Sequence, residues 1–317
     1  MNQSSINPAL SGERGDLAVY CKLAVVAMIW GATFVAGRYL AGGPSPLLAA
    51  SLRFLLASLA LLGFMAVARI PLARPSLRQF GQLALLGFFG IFFYNLCFFL
   101  GLQQVNASRA SLIVALNPAL IGLASWALFK ERLGRHKLLG IGLCLGGAAL
   151  VICSRDPAAL SQAGGWHGDL LILGCVLGWG VYSLFSRSLN QSLGPLQTVT
   201  YSILLGTLML CTTTLARGKF DLQAVARLDL AQGLSLGYLG ILGSALAYIW
   251  YYDGLRRIGA TRSGVFIALN PLTAVILGAL LLGEQLSLLM GLGAVLILGG
   301  IYQCNKPLAS RGKKAIL

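Results

Sequence analysis

The sequence predicts an all-α membrane protein: ten transmembrane helices in two inverted five-helix repeats, with both termini cytoplasmic. Three observations predict it. The chain is 57% hydrophobic and 10% charged, whereas soluble domains carry about 25% charged residues, so a soluble fold of this length would have too little polar surface. Apolar runs of the roughly 20 residues a bilayer span needs recur along the chain. The segment ALNP also occurs twice, with Asn117–Pro118 and Asn270–Pro271 lying 153 residues apart in similar apolar stretches.

The first run, 17–40, is too long for the apolar region of a signal peptide and lacks a clean small-residue cleavage site, so it stays as a helix ending at GGPSP (42–46). The second, 46–68, stops at RIPLARPSLR (69–78). Spans three and four, 79–102 and 107–129, form a tight hairpin about QQVNASR (103–109), and KERLGRHK (130–137) precedes span five, 138–153. After the polar stretch 154–169, span six covers 168–189 and NQSLGP (190–195) leads into span seven, 195–216. Span eight, 232–254, follows the connection 217–229; spans nine and ten, 260–282 and 287–304, follow RRIGATR (256–262) and GEQLS (283–287). The halves divide at 1–153 and 154–317, the second ending in a basic tail.

Lys and Arg set the orientation. With the N-terminus inside, 17 of the 24 fall on the cytoplasmic side and 6 on the other, and Arg53 lies within span two. Cytoplasmic loops carry the excess of positive residues. This placement accounts for the net charge of +15, which in a soluble protein would suggest nucleic acid; here the partner is the lipid bilayer, and nucleic acid binding is not expected.

The repeat extends beyond ALNP. At an offset of 153, Gly101–Leu102 answers Gly254–Leu255, Arg109 answers Arg262, Glu131 answers Glu284, and Gly146–Gly147 answers Gly299–Gly300. At an offset of 149, Trp30–Gly31 answers Trp179–Gly180, Arg38 answers Arg187 and Pro46 answers Pro195. Five spans per half is an odd number, so the second copy enters the membrane from the opposite side, as in carriers built from inverted repeats. Pro118 and Pro271 cannot donate to the carbonyls of Val114 and Ile267, which predicts a weak point near mid-membrane in each helix. Lipid cannot supply the missing bond. The preceding Asn117 and Asn270 are placed to help, and the pair is expected to face the interior or a cavity.

WGATFVAGRYL, SLRFLLASLALL, ALNPALIGLASWALFKERL with LGIGLCLGGAALV, and the second run ALNP…LLGEQLS…GLGAVLILGGIY resemble the drug/metabolite transporter superfamily, specifically its EamA-like members, over residues 20–153 and 168–303. The resemblance implies ten helices around a central cavity, alternating access, and export of small metabolites such as amino acids across an inner membrane. The family's fourth-span Glu falls on Glu131 and its repeat on Glu284, and its second-span Arg falls on Arg53, where the second half has Ser202.

Trp30 and Trp179 lie too deep for an interfacial belt, and helical spacing adds Thr33 to one face and Tyr182 and Ser183 to the other, as cavity lining or as helix packing against Gly31 and Gly180. Tyr94, Asn95, Tyr248 and Tyr251 are further candidates for binding a small-molecule substrate. Arg53, some seven residues into its span, either binds a substrate carboxylate, forms a gate or snorkels outward. Glu131 and Glu284 sit at span ends, as structural charges rather than proton carriers. Gly142–Gly146 and Gly174–Gly178 permit close helix contact within the monomer or at the seam of a homodimer.

The seven cysteines form no CxxC pair and have no His at ligand spacing, so no metal site and no cofactor is expected. His136 and His167 lie in loops, and no mid-span carboxylate pair is present, which argues against an intramembrane enzyme. Efflux of drugs or toxic compounds is the alternative cargo. A channel or a purely structural bundle is the remaining rival, although neither needs matched broken helices.

Overall fold

The computed structural model describes residues 8–130, 134–154, 166–258, 263 and 266–305. The described residues form helices α1 (Pro8–Ala41), α2 (Pro46–Val67), α3 (Leu77–Leu86), α4 (Tyr94–Leu102), α5 (Ala107–Val114), α6 (Asn117–Phe129) and α7 (Arg135–Cys153). There follow α8 (His167–Ser192), α9 (Pro195–Ala216), the short α10 (Leu222–Ala226), α11 (Leu230–Gly237), α12 (Ala247–Ile258), α13 (Leu269–Leu282) and α14 (Leu288–Asn305). Eight helical stretches among the described residues are long and apolar enough to cross a membrane: Leu17–Ala41, α2, Leu77–Leu102, Ala107–Leu128, α7, α8, α9 and Leu230–Ile258. Leu269–Leu282 and Leu288–Cys304 are shorter apolar helices. This is a multi-pass, all-helical membrane protein. The start of the expected ninth span, 260–262, and Glu131 lie outside the described residues.

Local signals explain where helices begin and end, and they recur in both halves. Ser76 and Gln79 form a capping box at the start of α3, and Asp229 and Gln232 form one at the start of α11, 153 residues on. Each box satisfies backbone donors that have no partner inside the helix. α6 ends on Lys130 with φ 52° and α13 on Gly283 with φ 64°, again 153 apart, and both use the left-handed conformation that closes a helix C-terminus.

α3 and α4 are joined by a π-helical segment, Gly87–Phe93, and α11 and α12 by another, Tyr238–Leu246. Each carries a Gly-x-x-Gly: Gly87 and Gly90 answer Gly240 and Gly243 at the 153 offset. The four glycines allow close approach across the halves. A Cβ on Gly87 would lie 2.9 Å from Ser202 O on α9, and one on Gly240 2.9 Å from Arg53 O on α2. One on Gly90 would strike Tyr182, and one on Gly243 would strike Thr33, the residue 149 before Tyr182.

The α7–α14 contact is reciprocal in the same way. Gly140 packs on Gly300 and Gly147 on Gly293, with virtual Cβ atoms 2.6–2.7 Å from the facing carbonyls. Residue i of one copy meets j of the other, and j meets i, which is how a two-fold relation reads in a contact. The expectation that Gly142–Gly146 make a close contact inside the monomer is corrected here: a Cβ at either position meets nothing within 4 Å. The helix turns its neighbours Gly140 and Gly147 inward instead. Gly174 and Gly178 do pack internally, against Cys97 and Phe89 O.

Candidate substrate cavity

The inner faces of both halves enclose a cavity of about 170 Å³; a 150 Å³ apolar cavity is enough to hold benzene. Its aromatic wall includes Trp30, Tyr94, Trp179 and Tyr248. Trp30 and Trp179 both pack on Tyr248, at ring-centroid distances of 5.6 and 6.4 Å, and Tyr94 meets Trp179 at 6.3 Å. The Trp30 ring is fixed by Nε1 donating to Gly243 O at 3.1 Å, and Thr33 Oγ1 donates to Trp30 O at 2.5 Å.

Asn117, Pro118, Asn270 and Pro271 line the cavity, so the two repeated motifs face one space. The weak points expected at the prolines are sharper than kinks. α5 ends at Val114 and α6 starts at Asn117, and in the second copy Ile267 and Ala268 precede α13 as a turn. Each proline therefore sits in the first turn of the following helix, where a missing N–H costs little. The turn is tightened by Leu116 N donating to Ile113 O at 3.1 Å and by Asn270 N donating to Ile267 O at 3.0 Å. The asparagines do not repair the break as expected. Neither side chain makes a hydrogen bond among the described residues, and both amide oxygens are buried without a donor.

Arg53 does not snorkel. It is 7% exposed and lines the cavity. Its Nη1 donates to Asn95 Oδ1 at 3.1 Å and its Nε to Ser244 Oγ at 3.2 Å, with Cζ 5.1 and 5.6 Å from the Phe54 and Phe98 ring centroids. Asn95, itself held by Ile91 O at 2.7 Å, also lines the cavity.

Three sequence candidates fall outside the lining. Tyr182 is buried behind Trp179 in a stack of 5.3 Å and meets Ser202 Oγ at 3.4 Å. Tyr251 supports Trp30 from 5.1 Å without reaching the space. Ser183, half-buried on α8, is not among the lining side chains. These residues lie three or four positions from the lining Trp179 and Tyr248, on the same helical stripe, and which flank of an apolar helix faces a cavity is decided by its neighbours.

Hydrogen bonds cross the end of the bundle that carries the 103–106 and 283–287 loops. Glu284 caps the N-terminus of α5: Oε1 accepts Ala107 N at 2.7 Å, Oε2 accepts Ser108 N at 2.9 Å, and Ser108 Oγ also donates to Oε2. Arg38 donates to Leu102 O, Gln103 Nε2 to Ala41 O at 3.3 Å, and Tyr39 OH to Leu281 O at 2.9 Å. Beside them Arg109 and Asp169 form a buried two-bond pair at 2.7 and 2.8 Å. At the other end Asp253 meets Arg257, Arg256 and Lys22 at 3.0, 3.3 and 3.7 Å. The partners of Glu284 and Arg109 gave no sequence signal beyond the repeat itself, because both bonds join residues at least 60 positions apart.

A duplicated helical membrane fold around an internal polar-and-aromatic cavity defines a membrane transport protein. The chain belongs to the EamA-like transporter family, whose model matches residues 17–153 and again residues 166–305. It is 27% identical over 292 residues to the uncharacterized transporter YyaM of Bacillus subtilis (strain 168), covering 91% of this chain and 94% of that one. It is 29% identical to a probable amino-acid metabolite efflux pump of Salmonella typhimurium, covering 88% and 91%, and 25% identical to a probable terminal-alkyne amino-acid exporter of Streptantibioticus cattleyicolor, covering 92% and 95%. A solved crystal structure, 20% identical, superposes with a TM-score of 0.64 over 90% of this chain and 97% of its own; that likeness concerns the fold alone.

Proposed function

We propose that this chain is a secondary active transporter that exports amino acids or related small polar metabolites from the cytoplasm by alternating access across the cell inner membrane. The observation that carries the reading is the meeting of two repeat-related helix breaks, Asn117–Pro118 and Asn270–Pro271, at one cavity. In a carrier, discontinuous helices at a repeat interface supply both the binding groups and the points that move. A buried amide oxygen without a donor costs about 1–3 kcal/mol. Both asparagines leave one at equivalent places on the cavity wall, where a donor on the cargo, or water in its absence, would satisfy it.

In this reading the chain has ten spans, two inverted repeats (1–153 and 154–317) and cytoplasmic termini. The 18 residues of α14 span about 27 Å, close to the roughly 30 Å of a bilayer's hydrocarbon core. Its partner α7 is itself long enough to cross. The 14-residue α13 is the counterpart of α6, the second piece of a broken span. Trp30, Trp179, Tyr94 and Tyr248 meet the apolar part of the cargo, while Thr33, Asn95, Asn117 and Asn270 meet its polar part. The names of the two amino-acid exporters among the relatives agree with that cargo class.

Counterflow tests the proposal. Liposomes holding purified protein are preloaded with single unlabelled amino acids or other metabolites, and uptake of the labelled counterpart is followed. Saturable, accelerated uptake of one class is expected. Counterflow only of hydrophobic drugs would replace the cargo, and linear unsaturable flux would indicate a channel.

A further inference from the structure

Two described arginines in this chain are buried, and they are treated differently. Arg109, 5% exposed, has the Asp169 carboxylate and the carbonyls of Val151 and Ile152, all within 2.8 Å. Arg53, 7% exposed, has only neutral acceptors, and among the described residues no carboxylate is within ion-pair distance of it or lines its cavity. A buried charge without a counter-charge is costly, by several kcal/mol even after relaxation. Two ring faces and two neutral hydrogen bonds offset part of that.

The tethers also fix the direction of the guanidinium. Ser244 Oγ donates its own proton to Leu239 O at 2.8 Å, and Asn95 Nδ2 is held by Ile91 O, so both can only accept from Arg53. Of the five guanidinium N–H groups, Nε and one on Nη1 are used. The other three, including both on Nη2, have no acceptor among the described residues, so they are free to donate to a carboxylate.

Resting on the carrier reading above, we infer that Arg53 is the anion anchor of the cavity and makes a carboxylate a requirement of the cargo. The charge that the fold leaves out is brought by the transported molecule. The site is single: the repeat places Ser202 where the second arginine would be, and its hydroxyl is bonded to Val199 O at 3.0 Å. One carboxylate per transport cycle follows, and compounds that carry only positive charge are rejected.

Trp30 and Trp179 line the same space, so their fluorescence reports occupancy. The full chain in nanodiscs is titrated with benzoate and with benzamide, which share a ring and differ in the carboxylate. Saturable quenching by benzoate, about tenfold or more tighter than by benzamide, is expected, since a charge-assisted bond contributes at least about 1.4 kcal/mol. R53K weakens benzoate and R53Q brings it to the benzamide level. Equal binding of the two probes to wild-type protein, or no binding of either, overturns the anchor without relying on any variant that fails to fold. Abolition of benzoate binding by 100 mM chloride or phosphate would assign the free N–H groups to inorganic anions and overturn the carboxylate requirement. Benzoate selectivity in a protein showing no counterflow would leave the anchor standing and remove the carrier reading.

Discussion

Replacing Asp169 by asparagine takes the counter-charge from Arg109 while keeping the shape of the site. The pair has 7% and 4% exposed side chains and two bonds of 2.7 and 2.8 Å. Removing one partner of such a buried pair costs about 3–5 kcal/mol, because the remaining charge has nowhere to go. The consequence reaches three helices: Arg109 lies on α5, Asp169 in the first turn of α8, and Nη1 and Nη2 hold the last carbonyls of α7, Val151 O and Ile152 O, at 2.7 Å. The double variant Arg109→Met with Asp169→Leu tests the assignment further. Exchanging a buried pair for apolar groups is often neutral or stabilising, but the α7 end also loses its cap. Val151 O keeps Ser154 Oγ at 2.7 Å, whereas Ile152 O loses the guanidinium, for about 1–3 kcal/mol. The double variant should therefore be no less stable than Asp169→Asn alone and up to about 4 kcal/mol more stable, read by SDS titration of the purified protein in mixed micelles. A single variant within about 1 kcal/mol of wild type would refute the pair as a staple. A double variant as unstable as the sum of the two singles would refute the charge-burial argument.

Glu284→Gln keeps an acceptor but loses the charge at the α5 N-terminus, weakening that cap by about 1–2 kcal/mol; hydrogen exchange at Ala107 and Ser108 should accelerate about tenfold, since 1.4 kcal/mol is a factor of ten. Gly31→Val should abolish counterflow, because even a Cβ there would lie 2.4 Å from Asn270 O and 2.7 Å from Thr273 Cβ. Gly63→Ala, with nothing within 4 Å of the added Cβ, is the matched control that leaves transport unchanged. Pro118→Ala and Pro271→Ala should each change stability by less than about 1 kcal/mol, since a first-turn proline costs the helix little. Slower counterflow with unaltered stability is the expected signature, and unaltered transport in both would remove the breaks from the mechanism.

Much of the architecture was legible because the bilayer imposes a one-dimensional code. Span length, the charge of the connections and the 153-residue repeat are properties of sequence alone, and most helix ends fall within a few residues of the apolar runs; the exceptions are the start of α1 at Pro8 and the division of the fourth run into α5 and α6. Trp30, Asn117, Trp179 and Asn270 lie around one cavity on the faces the sequence offers as inward, and Arg53, for which the sequence leaves carboxylate binding, a gate and snorkelling open, lies there too. Tyr182, Ser183 and Tyr251 show where that reading stops: periodicity gives a face about 100° wide, and the neighbours decide which flank reaches the space. The capping boxes at Ser76 and Asp229 and the paired Gly-x-x-Gly were present in the sequence at the same offset, but they are short and common, and their meaning came with the helix starts and the π-helical segments that contain them.

The sequence by itself determined that this is a duplicated membrane helix bundle, roughly where its apolar spans lie, and that two asparagine–proline pairs interrupt them. Only the tertiary structure decided that those interruptions share a cavity, that Glu284 caps the other half's helix, and that Arg109 is neutralised while Arg53 is not. Spans and caps depend on residues a few positions apart, which a sequence displays. Charge compensation depends on which distant groups are brought within about 3 Å of each other, and that distance exists only once the helices have packed.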